Sequence, residues 1–117
     1  MLVFYDKLGK PTAYSDNDND IYLYNGKPVA YFSNDCIYSF NGSHLGWFVN
    51  GWIIDHSGRY VFFTDNSHGG PAKPAKSAKP AKSAKWAKPA KGAKCAKPAK
   101  PAKSPTWSSN SNELFFI

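Results

Sequence analysis

A three-residue repeat fills residues 71–103, which read PAKPAKSAKPAKSAKWAKPAKGAKCAKPAKPAK. Alanine and lysine recur at every third position, and the third slot is most often proline. Proline removes a backbone donor and clashes with the preceding helical turn, so the repeat excludes an α-helix. Collagen needs glycine at every third position, and this segment has only Gly92. The repeat therefore predicts a polyproline II-like (x-Ala-Lys) segment with all lysines on one ridge and all alanines on another.

An extended segment of this length has to find a surface. At about 3.1 Å per residue, it would reach about 100 Å if straight and would overshoot the small preceding domain. We expect the segment to drive assembly into a homo-oligomer, by bundling or by docking across subunits, with alanines facing the partner and lysines facing solvent. Docking against its own domain is the alternative, and a disordered, solvated tail is another.

The preceding residues repeat internally around Gly9, Gly26, Gly42 and Gly58. Each glycine lies between two short runs rich in aromatic and β-branched residues, and two of the four are Asn-Gly pairs that favour a type I′ hairpin turn. Two columns of side chains follow the glycines, and period 2 would place both on one face: Thr12, Val29, Leu45 and Val61, then Tyr14, Tyr31, Trp47 and Phe63. These features predict a mainly β fold of four short glycine-centred hairpins packed around a common centre.

The composition divides the chain into four parts. Residues 1–68 form the four-hairpin β domain, residues 69–70 a Gly-Gly hinge, and residues 71–103 the triplet segment. Residues 104–117 bring back apolar side chains, and we predict that they form an aromatic latch that packs on the β domain or on a neighbouring subunit.

Together, the glycine-centred hairpins, the proline-lysine triplets and the closing WSSNSNELFF resemble the bacterial 4-fold β-flower family. The resemblance covers nearly the whole chain. It implies the same β architecture, and it implies no activity, cofactor or catalytic residue.

Charge is divided unevenly along the chain. Residues 1–70 hold four basic and seven acidic side chains, a net charge of −3, whereas the triplet segment holds eleven lysines and no acid. This split favours either internal charge pairing or a polyanion such as nucleic acid, bound without sequence preference. Residues 1–70 would contribute nothing to such binding or would oppose it. The triplets also resemble the tails of histone H1-type proteins. The candidate polyanion-binding residues are Lys73, Lys76, Lys79, Lys82, Lys85, Lys88, Lys91, Lys94, Lys97, Lys100 and Lys103.

Aromatic side chains suggest a second kind of binding. The stretch GWFVNGWI resembles the cell-wall-binding repeats of choline-binding proteins, and exposed rings stack on sugars or surround a cation. The candidate contacts are Tyr31, Trp47, Trp52 and Trp86. The competing interpretation is that these rings fill the centre of the hairpin domain.

The remaining signals indicate what this chain is not. Neither a signal peptide nor an apolar stretch of membrane length stands out, so we expect a cytoplasmic location and no membrane partner. Cys36 and Cys95 are expected to be reduced, with a single bridge between them left open. No histidine has zinc-like spacing to a cysteine, and residues 16–20 lack the glycine and glutamate of a calcium loop. We expect no cofactor, no metal and no catalysis, and therefore a structural or interaction protein.

Overall fold

The computed structural model describes residues 1–117 as a closed barrel of eight antiparallel strands arranged in sequence order. The prediction of a mainly β chain is confirmed. The strands are β1 (Leu2–Tyr5), β2 (Pro11–Ser15), β3 (Asp20–Leu23), β4 (Pro28–Ser33), β5 (Cys36–Tyr38), β6 (His44–Val49), β7 (Trp52–Ile54) and β8 (Tyr60–Phe63). One 3₁₀ helix, Glu113–Phe116, lies near the end of the chain.

The four hairpin loops share one hydrogen-bonding pattern. They comprise residues 7–9, 24–26, 40–42 and 56–58, and the last residue of each is a glycine with φ between 79° and 99°. In the second loop, Gly26 N donates to Leu23 O at 3.0 Å and Leu23 N donates to Lys27 O at 2.9 Å. Asn25 does not have a positive φ, so the predicted type I′ turn is wrong. The loops are three-residue hairpin loops closed by a left-handed glycine.

A β-bulge interrupts every hairpin, and it changes which side chains share a face. Ile21 pairs with Ala30 and Tyr22 pairs with Pro28, which leaves Val29 without a partner. The other hairpins skip Thr12, Leu45 and Val61 in the same way. The extra residue turns its side chain to the same side as its successor. The expectation that both columns share a face is therefore wrong, because the column beginning with Tyr14 points outward.

The interior of the barrel is filled by side chains from its strands and by the end of the chain. Phe4, Ile21, Ile37 and Ile53 are fully buried, and Phe4 reaches across to Phe32 and Phe48 with ring centroids 6.3 Å apart. The 3₁₀ helix adds Phe115 and Phe116, the second of which stacks on Phe62 at 5.5 Å. The barrel core therefore includes residues that lie after the triplet segment.

The triplet segment runs around the outside of its own barrel. It contains no helix or strand, and its backbone, together with that of Ser104 directly after it, donates to all four hairpin loops. The anchoring N–H groups recur every nine residues: Ser77 to Gly9 O, Trp86 to Gly26 O, Cys95 to Gly42 O and Ser104 to Gly58 O, at 2.8 to 3.0 Å. An extended segment of about 100 Å matches the circumference of a circle about 32 Å across. This path differs from the straight rod that we expected, because each loop supplies an acceptor.

Prolines occupy the third-slot positions at which no backbone N–H donates to the barrel. Ser83 N donates to Tyr24 O and Gly92 N donates to Phe40 O, at 2.9 and 2.7 Å. With the anchors above, every non-proline residue in the third slot of residues 71–103 therefore donates to a hairpin loop. The irregularities of the repeat are explained by hydrogen bonding, because proline has no N–H to give.

We expect Ser77→Pro to destabilise the protein by about 1–3 kcal/mol, because the buried Gly9 carbonyl loses its donor. The matched control is Pro80→Ser, which adds a donor that nothing requires and should cost at most about 1 kcal/mol through chain entropy. Urea melts of both variants measure the difference. Equal midpoints would mean that the anchoring bonds do not hold the segment.

Candidate functional site

The lysine ridge lies over an aromatic belt on the outside of the barrel. The belt consists of the outward side chains Tyr5, Tyr14, Tyr22, Tyr31, Tyr38, Trp47, Ile54 and Phe63, all of them buried. Five lysine ammonium groups lie over tyrosine rings: Lys76 over Tyr5, Lys82 over Tyr14, Lys85 over Tyr22, Lys91 over Tyr31 and Lys94 over Tyr38, at 4.3 to 5.7 Å from the centroids. The ridge that we expected to face solvent is exposed, and five of its ammonium groups also lie against the barrel.

The alanine ridge is exposed as well. Every alanine between residues 71 and 103 is exposed, so the ridge that we expected to face a partner is open on this chain. What packs against the barrel is the backbone: a Cβ on Gly9 would lie 2.0 Å from Ala75 O, and a Cβ on Gly42 would lie 2.0 Å from Ala93 O. Substitutions of the alanine side chains should therefore disturb the fold little.

Four lysines of the triplet segment form ion pairs with aspartates at the end of the barrel opposite the hairpin loops. The pairs are Lys76–Asp65, Lys85–Asp16 at 2.8 Å, Lys88–Asp20 at 3.0 Å and Lys100–Asp35 at 2.7 Å. The hydrogen bond from Lys85 lowers the pKa of Asp16, and the hydrogen bond from Lys100 lowers the pKa of Asp35. In three of the pairs both side chains reach solvent, so each contributes little stability, whereas Asp20 in the fourth pair is buried. Their main effect is to cancel the acidic end.

Eleven basic side chains are left without an acidic partner. Of fifteen Lys and Arg side chains, four form ion pairs. The unpaired ones in the triplet segment are Lys73, Lys79, Lys82, Lys91, Lys94, Lys97 and Lys103. Lys73 Nζ and Lys94 Nζ donate instead to Ser67 O and Ser33 Oγ, at 2.7 and 2.9 Å. The predicted eleven-lysine site is thereby divided into paired and unpaired groups.

The other four unpaired groups belong to the β domain and were missed by the sequence analysis. Lys7, Lys10, Lys27 and Arg59 are exposed and lie in or directly after the hairpin loops. In an up-and-down barrel every second loop lies at the same end. The four glycine-containing hairpin loops therefore share one end of the barrel, which we call the loop end. The signal was present, since three of these residues directly follow a loop glycine. The loop end is therefore basic, although the domain as a whole is acidic.

The structure corrects three of the four predicted aromatic contacts. Tyr31, Trp47 and Trp52 are at most 2% exposed, so they are packing residues and offer no face to a sugar. Trp86 is 54% exposed at the loop end. A single open ring does not make a stacking platform.

Two clefts open at the loop end. Cleft 1 has a volume of about 430 Å³ and lies between the first and second loops, with Lys10, Tyr24, Pro80 and Leu114 in its wall. Cleft 2 has a volume of about 420 Å³ and lies between the second and third loops. Its wall includes Lys27, Phe40, Trp86 and Phe116. The clefts share Leu23, Asn25 and Glu113, so they are neighbours along one surface.

A histidine pair lies beneath the triplet segment. His44 Nδ1 and His56 Nε2 are 2.9 Å apart, and His44 is buried against Tyr38 and Trp47. Burial lowers the pKa of His44, with further lowering from His56 and Lys97 opposed by Asp35. Burial, His56 and Lys97 all disfavour the charged form of His44, so protonation of this side chain works against the fold.

We expect the melting temperature to fall as the pH is lowered from 7 to 5. The unfolded chain takes up a proton near the usual histidine pKa of about 6.5, whereas the folded chain resists protonation of His44. Stability is therefore fully present above that pKa and is lost as the pH falls toward the lowered folded pKa. Thermal melts across this range should show a shallower decline for His44→Gln than for His68→Gln, which changes an exposed histidine. Identical declines in melting temperature for the two variants would contradict the assignment of this pH dependence to His44.

Both cysteines are free. Cys36 is buried among side chains of the aromatic belt, and Cys95 is exposed in the triplet segment. The bridge left open by the sequence is not formed. No group of three or more His, Cys, Asp or Glu side chains is placed to hold a metal ion. No helix is both long and apolar enough to span a membrane.

The comparison with protein families agrees with this architecture. The family described as 4-fold beta flower protein matches residues 3–116, which include the barrel, the triplet segment and the 3₁₀ helix. Nothing among the curated proteins and nothing among the solved structures matches the chain. Since the family match extends over nearly the whole length, the chain belongs to the 4-fold beta flower family.

Proposed function

We propose that this chain is a non-enzymatic interaction module that binds polyanions without reading their sequence. The observation that carries the proposal is the excess of unpaired positive charge. Eleven basic side chains make no ion pair, against four acidic ones: Asp6, Asp18, Asp55 and Glu113. Asp6 and Asp55 each accept backbone N–H bonds inside a hairpin loop, so part of their charge is already compensated.

The binding surface that we propose includes the loop end of the barrel. Residues 1–70 carry a net negative charge, yet four of their acids pair with the triplet segment at the opposite end. The basic residues at the loops make no such pairs. The domain therefore assists binding in this proposal, where the sequence led us to expect it to contribute nothing or to oppose binding.

The test is titration of the full chain into two unrelated DNA duplexes at several salt concentrations, followed by fluorescence anisotropy. If roughly five to eleven basic groups engage phosphates, log affinity against log salt should have a slope between about −4.5 and −10. Replacing Lys7, Lys10, Lys27 and Arg59 by Gln should make the slope shallower by about 3.6.

The matched control replaces the four ion-paired lysines, Lys76, Lys85, Lys88 and Lys100, by Gln. This variant has the same net charge as the loop-end variant, and it should keep more of the affinity. Absence of binding at about 50 mM salt, or a marked preference for one duplex, would overturn the proposal.

A second candidate function is assembly by exchange of the triplet segment between copies. The observation that favours it is the junction: Gly69 and Gly70 have φ of 75° and 73°, and a Cβ on Gly69 would meet nothing within 4 Å. Consecutive glycines leave the backbone free to take other directions, which would allow the segment and the 3₁₀ helix to dock on a neighbouring barrel through the same bonds. Light scattering across a range of concentrations tests this, because exchange predicts closed oligomers whose mass is a multiple of 12.9 kDa. A monomer at every concentration would exclude exchange.

A further inference from the structure

The loop end combines open apolar side chains with unpaired positive charge. Leu8, Trp86 and Leu114 are 74%, 54% and 56% exposed. Leu114 lines cleft 1 and Trp86 lines cleft 2, whereas Leu8 lies in the first loop and lines neither. Large exposed apolar side chains at the mouth of a cleft mark an interaction surface, and by this criterion Leu114 and Trp86 belong to it and Leu8 does not.

The two clefts offer apolar walls that a ligand from solvent can reach. In cleft 2, Val29, Phe40 and Phe116 form the inner wall and Trp86 the outer one. In cleft 1, Leu23 and Leu114 face Pro80 of the triplet segment. Because Leu23 and Asn25 belong to both walls, an extended ligand that crosses the second hairpin loop reaches both clefts.

The charge around the clefts favours a negatively charged ligand. Lys10 and Lys27 each line one cleft and neither is ion-paired. Glu113 is the one acid shared by the clefts, and Asp6 in cleft 1 has its Oδ1 engaged by the N–H groups of Leu8 and Lys10. When Lys7 and Arg59 are added, together with Asp55 in the same hairpin loop as Arg59, the four cations of the loop end exceed its three acids by one.

We propose that the loop end binds an acidic peptide segment that places one bulky apolar side chain in each of the two clefts. The inference rests on the proposed polyanion binding and names its partner class. A nucleic acid duplex satisfies the lysines but brings no side chain to fill an apolar cleft. An acidic peptide satisfies both, since its carboxylates complement the loop-end cations while its anchors bury the exposed leucine and tryptophan surface.

The test uses the full chain and two fluorescein-labelled twelve-residue peptides. One peptide is glutamate-rich with two leucines, and the other has serine in place of both leucines. Anisotropy should show the leucine peptide binding at least about tenfold more tightly at the same salt concentration, because two apolar anchors are buried. Lys27→Gln should weaken both peptides by a similar factor, and the loss should shrink as salt rises.

The matched pair of variants is Leu114→Ser and Leu8→Ser. Both remove an exposed leucine at the same end of the barrel, but only Leu114 lines a cleft. Leu114→Ser should reduce the advantage of the leucine peptide several-fold, whereas Leu8→Ser should leave it unchanged. Trp86→Ser should also reduce it, and serine suits that slot because Ser77 and Ser104 occupy equivalent positions.

The outcomes separate this inference from the proposed function. Equal affinity for the two peptides, with salt-dependent duplex binding retained, overturns the clefts as a peptide site and leaves polyanion binding intact. Equal losses in Leu114→Ser and Leu8→Ser also overturn it. Binding to phosphatidylserine-containing vesicles that depends on Trp86, without any peptide preference, assigns the surface to a lipid and overturns it. If neither peptide nor duplex binds, both proposals fail.

Discussion

Removing residues 71–117 should leave a chain that does not fold. The truncated chain lacks Phe115 and Phe116, which complete the barrel core, and it exposes an aromatic belt that is otherwise covered. Loss of a buried phenylalanine side chain costs about 3–5 kcal/mol, so two losses are comparable to the whole stability of a small domain, about 5–15 kcal/mol. Circular dichroism on heating should show no cooperative transition.

A chain that ends after Ser104 serves as the control for this truncation. It keeps the triplet segment and the six backbone bonds to the hairpin loops, and it loses residues 105–117, which include Phe115 and Phe116 and the backbone bonds of residues 106 and 108 to Tyr60. It should be more protected from proteolysis than the shorter chain. A cooperative melt of residues 1–70 within a few degrees of the full chain would contradict the view that the covering residues belong to the fold.

Replacing Gly42 by alanine should lower the melting temperature sharply. The residue has φ of 99°, which costs an L-residue about 1–2 kcal/mol, and its new Cβ would lie 2.0 Å from Ala93 O. The clash forces either the loop or the triplet segment to move, with a total cost of roughly 3 kcal/mol or more. At about 4 °C per kcal/mol, the expected loss is about 12 °C.

Gly69→Ala isolates the backbone part of this effect. Gly69 also has a positive φ, 75°, but a Cβ there would meet nothing within 4 Å. The melting temperature of Gly69→Ala should fall by about 4 to 8 °C, because this variant bears only the cost of the left-handed conformation. If the two alanine variants melted together, the close approach of the triplet segment to the hairpin loops would not hold in solution.

The hairpins of the barrel were predictable because their information is local. Four glycines at near-constant spacing, each flanked by strand-forming residues, indicate the four loops whatever the rest of the chain does. The faces of the strands were not predictable, because an alternating pattern assumes an uninterrupted ladder. The bulges at Val29 and its three counterparts break that ladder and leave no mark in the residue types.

The path of the triplet segment could not be read from its conformation. A polyproline-type chain has no internal hydrogen bonds, so contacts with another surface decide where it runs. The relevant signal was in the third position of the repeat, where some residues are not proline. Four of these, Ser77, Trp86, Cys95 and Ser104, are nine residues apart, and their number equals the number of hairpins. The basic loop end was missed for another reason, since a net charge averaged over 70 residues conceals how that charge is separated between the two ends.

The placement of the prolines also protects the segment from slippage. A nearly uniform triplet repeat could slide along the barrel by one unit and present the same lysines and alanines again. Sliding it by three residues in one direction would bring Pro80, Pro89 and Pro98 to the positions of Ser77, Trp86 and Cys95, where each loop carbonyl needs an N–H. Sliding it the other way would bring Pro74 and Pro101 to the anchors at Gly9 and Gly58. The prolines therefore fix the register: a repeat of nearly uniform composition can dock on its barrel in one register and not in the adjacent ones.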